Sequence, residues 1–444
     1  MLLATMKHVM ITALLLQFIV ALHDYCYVKS KKRNRTRDAE LPYHAKRRRV
    51  AWPSLVKTLG PTEFRRHHRI SIRLFNKIHT RIRPHITTNG KYARKSCCRG
   101  AVSGVDSRSR LSMLLKHLAD SKMQDIERAH GVSRSTVIAS IASVMDAISV
   151  EFPIAPFPFD QADELKKIAD GFRRKSSGGL FDNVIGAFDG FLLEITKACI
   201  TKNSGVHNPL KFYCRKQFYA INCQVCCDAD RKVTNVSMLS PGAVPDTLAF
   251  FKSNIARAIK LGKVPGNYHF VADNAYPDSD SILTPYTRRD LQYDVNRKMD
   301  SYNFYLSQLR INIECCFGML VNRFPILLHA LNTTKLSTAT KTFAVCCILH
   351  NLCIDERLAS EQISPSSDSS QRYTQRSQQR FADLVDDADF EYVDRVDEAV
   401  ADELIRLHAI TGPVIVPEEG ISAKERMVHK IAASGYRRPR PNDR

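Results

Sequence analysis

Apolar and polar positions follow two different periods along this chain, and the change of period divides it. In LSMLLKHLADSKMQDIERAHGVSRSTVIASIASVMDAI, residues 111–148, apolar residues recur at three- and four-residue intervals, which predicts three helices. Gly131 to Ser133 would make a sharp turn, with Ser133 as the N-cap of the third helix. The stretch from Trp52 to Ile86 has the same spacing, at Ile72, Leu74, Phe75 and Ile78, and is also expected to be helical. KSCCRGAVSGVDSRSR, 95–110, has the Gly and Ser content of a loop. From about residue 180 the texture becomes short β-like runs between turn signals: VIGAF, FLLEI, FYAINCQVCCD, KVTNVSMLS and NYHFVAD. Helical periodicity returns at 247–260, 304–324 and 338–354. Strands first, with helices after and between them, imply a mixed α/β layer domain over 180–354, preceded by an all-helical region at 51–150.

The two ends read differently. VMITALLLQFIVAL, 9–22, has the length of a signal-peptide h-region, but only Lys7 precedes it and no A-x-A site follows. A core-packing helix is the other reading, and the run is too short to span a bilayer comfortably, so no membrane association is expected. Residues 29–49 carry ten Lys and Arg against Asp38 and Glu40, which suits nuclear import, phosphate contact or a solvated linker. Beyond residue 354 the chain is expected to be a largely disordered tail. Its polar stretch at 364–380 is low in complexity, and 381–406 holds ten acidic residues with the apolar spacing of an amphipathic helix. The terminal YRRPRPNDR is basic.

Charge narrows the choice of partner. There are 66 Lys and Arg against 45 Asp and Glu, a formal net charge of +21, so the summed field attracts a polyanion. DNA is the leading candidate, and the nucleus the expected location. The predicted three-helix region then fits a helix-turn-helix, in which the last helix enters the major groove with Arg134, Ser135 and Thr136 foremost; a plain helical bundle would show the same periodicity. The thirteen cysteines include four adjacent pairs in mostly apolar settings, unlike a disulfide framework, so a reduced, intracellular chain is expected. Cys223 and Cys226 form a CxxC without a second ligand pair, which argues against structural zinc.

Three carboxylates stand where apolar residues are the rule. Asp189 sits inside VIGAFDGFLLEI, Asp273 ends NYHFVAD, and Glu314 lies amid Ile311, Ile313, Cys315 and Phe317. Each has a local explanation: Asp189-Gly190 as a type I′ hairpin turn, Asp273 as a cap for the following loop, and Glu314 as an (i, i+4) partner of Arg310. Together, two strand-end aspartates and a glutamate on an apolar helix suit the ligands of a two-metal phosphoryl-transfer site. His350 and Asn351, late on an apolar helix, are read as hydrogen-bonded structural residues.

GAFDG, RKQFYAINCQVCCDAD, PGAVPD, VADNAYP, YNFYLSQLRINIECCFGMLVNRFPIL and CCILHN, in this order, resemble the successive blocks of the PIF/Harbinger transposase-derived nucleases, over about residues 50–354. The resemblance implies an RNase H-like mixed sheet flanked by helices and a DDE triad at Asp189, Asp273 and Glu314. It implies two divalent ions, Mg²⁺ or Mn²⁺, and cutting and joining of DNA by hydrolysis and strand transfer. Arg215 and Lys216 would hold the DNA backbone, with Asp228 and Asp246 in supporting roles. Partners implied are DNA, an accessory Myb-like DNA-binding protein and a second copy of the chain. A domesticated DNA-binding or scaffold protein with an inactive nuclease fold is the alternative.

Overall fold

The computed structural model describes residues 52–87, 105–201, 206–363 and 421–439. Expectations for the apolar run at 9–22, the basic cluster at 29–49 and the segments at 364–380 and 381–406 lie outside the described residues, as do Cys97 and Cys98. The chain separates into two units, Met1–Arg49 and Val50–Arg444, and every described residue belongs to the second.

Five helices come first: α1 (Trp52–His68, broken at Gly60-Pro61), α2 (Ile72–Ile86), α3 (Ser107–Leu118), α4 (Met123–His130) and α5 (Arg134–Glu151). Their apolar stripes meet around Phe64, Phe75, Leu114, Ile126 and Val144, all fully buried. Trp52 stacks on Phe75 with ring centroids 4.6 Å apart. Between α4 and α5, Gly131 takes the left-handed conformation at φ 62°, which costs glycine little. Ser133 Oγ then accepts from the Thr136 N–H as the N-cap of α5. The GVS turn and its cap are therefore as the sequence predicts.

Next come α6 (Ala162–Lys175), β1 (Val184–Glu194), β2 (Ala220–Cys227) and β3 (Val233–Pro241), then α7 (Asp246–Phe251), α8 (Asn254–Lys260), β4 (His269–Val271) and β5 (Ile282–Leu283). The short α9 (Arg288–Leu291), α10 (Lys298–Arg323), α11 (Leu336–Ile363) and α12 (Ala423–Ala433) complete the described helices. The strands form one five-stranded sheet in the order β3-β2-β1-β4-β5. β1 pairs antiparallel with β2 and parallel with β4, and β4 runs parallel to β5.

Side-chain alternation, reset on β1 by an irregularity between Val184 and Gly186, assigns the two faces of this sheet. Ile185, Phe188, Cys226 and Phe270 pack with Leu165 of α6, Phe250 of α7 and Ile255 of α8. Ala187, Leu193, Val225 and Val271 face the other way, into a core with Ile313 and Phe317 of α10 and Phe343 of α11. Covering on both faces explains why VIGAF reads as a continuous apolar run, not an alternating one.

Several features differ from expectation, among them the first turn of α3, which starts at Ser107 inside the expected loop. The helix expected at 247–260 is two helices, because Ser253 caps a fresh start by accepting from Ala256 N–H at 3.1 Å. The two-residue β5 and the amphipathic α6 were not anticipated. Within the span expected to be a disordered tail, α12 is an ordered helix with a capping box between Ser422 and Glu425. Its Ala423, Met427, Val428 and Ile431 are buried. Among the described residues, no helix is long and apolar enough to cross a membrane.

Candidate active site

Asp189 is not a turn residue. β1 passes straight through Asp189 and Gly190 with neither in the positive-φ region, and both pair with β2, Asp189 opposite Val225 and Gly190 opposite Gln224. The local Asp-Gly hairpin signal loses because β2 pairs continuously through Asp189 and Gly190, while β4 pairs with the strand just before them, at Val184–Ala187. Asp189 shares its side of the sheet with Ala187, whose neighbour across the parallel ladder is Val271. Asp273 lies two residues past the end of β4, and its charge bears on Asp189, two residues past that last pair on β1. Asp189 stands in mid-strand on the central strand, not at a strand end.

Asp273 Oδ1 accepts from the Ala275 N–H at 2.9 Å, so it also caps the following turn. α10 crosses the same face, with its Phe317 ring against Phe191 of β1 at 5.2 Å between centroids. Glu314, one turn before Phe317, accepts from Arg310 Nη2 at 2.7 Å. Burial raises the Asp189 carboxyl from its ordinary range to about 7, and the Asp273 charge beside it adds to the shift. Burial likewise raises Asp273, while the Arg310 guanidinium works in the opposite sense on both aspartates. Burial is the main cause for both, with the Asp273 charge adding to it at Asp189 and the Asp246 charge adding to it at Asp273.

Behind this pair lies a polar network that the sequence reading left in a supporting role. Asp246, the first residue of α7, accepts from Asn222 Nδ2 at 2.9 Å and from Gln224 Nε2 at 3.1 Å. Gln224 in turn accepts from the Tyr276 hydroxyl at 2.6 Å. Asn222 and Gln224 are buried on a central strand, where amides are costly unless fully bonded. Gly190 makes room for this carboxylate: a Cβ there would lie 2.9 Å from Asp246 Cγ and closer still to Oδ1. Burial and the charges of Asp189, Asp246 and Asp273 hold the Tyr276 phenol well above its ordinary value. Two amides in the otherwise apolar AINCQVCC were the available sequence signal.

These carboxylates, their order and their strands decide which comparison matters. Residues 188–351 match the family described as DDE superfamily endonuclease. No curated protein and no solved structure matches the chain. The match begins beside Asp189 and ends at Asn351, so it contains all three carboxylates. The five-stranded mixed sheet flanked by helices is consistent with a DDE nuclease fold.

Arg215 and Lys216 are exposed on a turn whose flanks, Tyr213 and Tyr219, bridge each other. The Arg215 charge bears on Asp273, so the turn stands beside the site. Arg134 and Ser135 are exposed at the start of α5, and Thr136 is half-buried. His350 is buried between Arg323 Nη1, at 2.9 Å, and the Arg231 carbonyl, also at 2.9 Å. Asn351 bonds both the N–H and the carbonyl of Val233, at 2.8 and 2.7 Å, so both residues are structural as expected. Cys223 and Cys226, three apart on β2, point to opposite faces and belong to different cores. Asp228 lies in the β2–β3 turn, accepting from the N–H groups of Asp230 and Lys232, each at 2.9 Å. It also lines a cavity of about 520 Å³ between residues 152–158 and α11, and none of the three nominated carboxylates lines that cavity.

Among the described residues, no three His, Cys, Asp or Glu side chains gather closely enough to hold a metal ion as they stand. Glu314 is engaged by Arg310 instead. The donors are nonetheless of the right kind. Paired carboxylates are hard oxygen ligands suited to Mg²⁺ or Mn²⁺, and their raised proton affinity marks negative charge that a cation would balance.

Proposed function

We propose that this chain is a DDE-type transposase, or an endonuclease derived from one, which cuts and joins DNA by two-metal phosphodiester hydrolysis and strand transfer. The observation that carries the proposal is the parallel pairing of β1 with β4, which brings Asp273, just past the end of β4, near enough for its charge to bear on Asp189 on the face crossed by the helix bearing Glu314. Strand order and directions support an RNase H-like reading of the sheet. Asp189, Asp273 and Glu314 would hold the divalent cations. Bound there, the cations would supply activation of a water or 3′-OH and stabilisation of the leaving oxygen in an in-line displacement.

The chain's own residues account for the other requirements. Asp189 is held by the antiparallel ladder of the central strand to β2, and the Gly190 N–H donates to its Oδ1 at 2.7 Å, so its position tolerates little drift. Arg215 and Lys216, exposed beside Asp273, would neutralise backbone phosphates without reading sequence. At the start of α5, Arg134, Ser135 and Thr136 would meet DNA as the forward end of a helix-turn-helix recognition helix. The motif order favours the PIF/Harbinger branch, with nuclear action, pairing of two copies and a Myb-like accessory protein as its corollaries. The domain division goes with it: 51–150 for DNA binding and 180–354 for cleavage.

A nicking assay on supercoiled DNA in Mn²⁺ tests the proposal. Wild type should nick, and Asp189→Asn and Asp273→Asn should each lose at least about a hundredfold in rate. An active protein indifferent to both substitutions would overturn the assignment. The second reading, a DNA-binding or scaffold protein with a silent nuclease fold, is favoured by the engagement of Glu314 with Arg310. It would be upheld by DNA binding that depends on Arg134 without any nicking.

A further inference from the structure

The ion pair on α10 places a permanent positive charge against the acidic site. Arg310 Nη2 lies 2.7 Å from Glu314 Oε1, and its side chain is only 25% exposed. The same guanidinium bears on Asp189 and on Asp273. It therefore touches one nominated ligand and electrostatically serves the other two. An (i, i+4) pair on a free helix surface would make the first contact but not the second, since its charge would be largely screened.

The helix that carries the pair is held along its length. Tyr302 donates to the Thr284 carbonyl at 3.3 Å and Tyr305 to the Arg437 carbonyl at 2.8 Å, while Arg323 reaches His350 near the other end. The backbone of α10 has little freedom to slide, so a change of partner at Glu314 must come from side-chain rotation. Both side chains are long enough for that. A guanidinium released from a carboxylate also finds a ready alternative in a DNA phosphate, whose oxygens fit the same planar fork.

We infer that Arg310 is the resident counter-ion of the carboxylate site: it holds Glu314 while no divalent cation is bound, and an entering cation must take Glu314 from it. This rests on the DDE reading of the site. Arg310 thereby sets the cation concentration at which the site fills. Because a phosphate would draw Arg310 away from Glu314, DNA and cation should each tighten the binding of the other, by linkage.

The test is Mn²⁺ binding to the full chain without turnover, read from the loss of the free-ion paramagnetic resonance signal. Arg310→Gln should bind Mn²⁺ about tenfold more tightly than wild type, within the usual range for coupled sites. Arg310→Lys, which keeps the charge and loses the fork, should fall between the two. Circular dichroism checks that each variant is folded, and if Arg310→Gln is not, the Lys variant decides alone. Affinity in the folded variants equal to or weaker than wild type overturns the inference. Asp189→Asn separates this failure from that of the proposed function. If wild type binds Mn²⁺ and Asp189→Asn does not, the site stands and only the role of Arg310 falls; if Asp189→Asn binds as wild type does, both fall.

Discussion

Gly190 and Asp189 show how adjacent residues can be selected by opposite faces of one strand. Asp189 faces α10 and its neighbours in the site, while Gly190 leaves space for Asp246 behind the sheet. Gly190→Ala should therefore destabilise the fold by roughly 1–3 kcal/mol in urea titrations, and pairing it with Asp246→Ala should recover part of that loss. Asp189→Asn should do the reverse. The ordinary value of its carboxyl is 3.8 and the folded value is about 7, so the folded chain holds this proton more tightly than the unfolded one. The resulting destabilisation sets in as pH rises above the lower value and is complete above the higher. Without divalent cations, Asp189→Asn should melt above wild type at about pH 8, by an amount worth ~1 kcal/mol or more, and match it at about pH 4. The three carboxylates were legible in the sequence because charge interrupts apolar runs at each. The roles of Gly190, Asp246 and Arg310 were not, since each depends on an element distant in sequence.

Among the elements, those set by local chemistry were read well and those set by pairing were not. Ser133 caps α5 through its own side chain, so the turn at Gly131 to Ser133 was visible in the sequence alone. Ser133→Ala should lower the stability of the helical region by about 1 kcal/mol, and Gly131→Ala by a similar amount, measured by thermal melting. The sequence divides β1 at Asp-Gly because a turn preference is local, whereas the ladder that overrides it comes from β2. α12 was missed for a related reason. Its apolar residues are few, and it is ordered by docking on the region around α10, helped by ion pairs such as Lys430 with Asp182 and Arg438 with Asp300. Burial should dominate there: Ile431→Ala should cost about 2–4 kcal/mol, and Lys430→Ala less than about 1 kcal/mol.

At the scale of the whole molecule, the described chain has two differently buffered parts. In the helical region, burial lowers His68 to about 3 and His130 to about 4, and Ser112 lies between their rings. Both must be neutral when folded, so their contribution is fully present above the ordinary histidine value of 6.5 and is lost as pH falls below it. The chain has one tryptophan, Trp52, and it packs edge-on to His68, so its fluorescence reports this region alone. Acid titration should shift Trp52 emission between about pH 6 and pH 4, before the far-ultraviolet signal is lost. The sheet should behave otherwise, because its nominated reactive aspartate belongs to the central strand, which pairs with β2 through Asp189 and with β4 just before it, at Val184–Ala187. In amide hydrogen exchange, the protons of β1 near Asp189 should be among the last to be replaced by deuterium, and only through global opening. A site of this kind cannot be tuned by loosening its strand; any adjustment between resting and working geometry falls to the side chains of α10 and to the turn carrying Arg215.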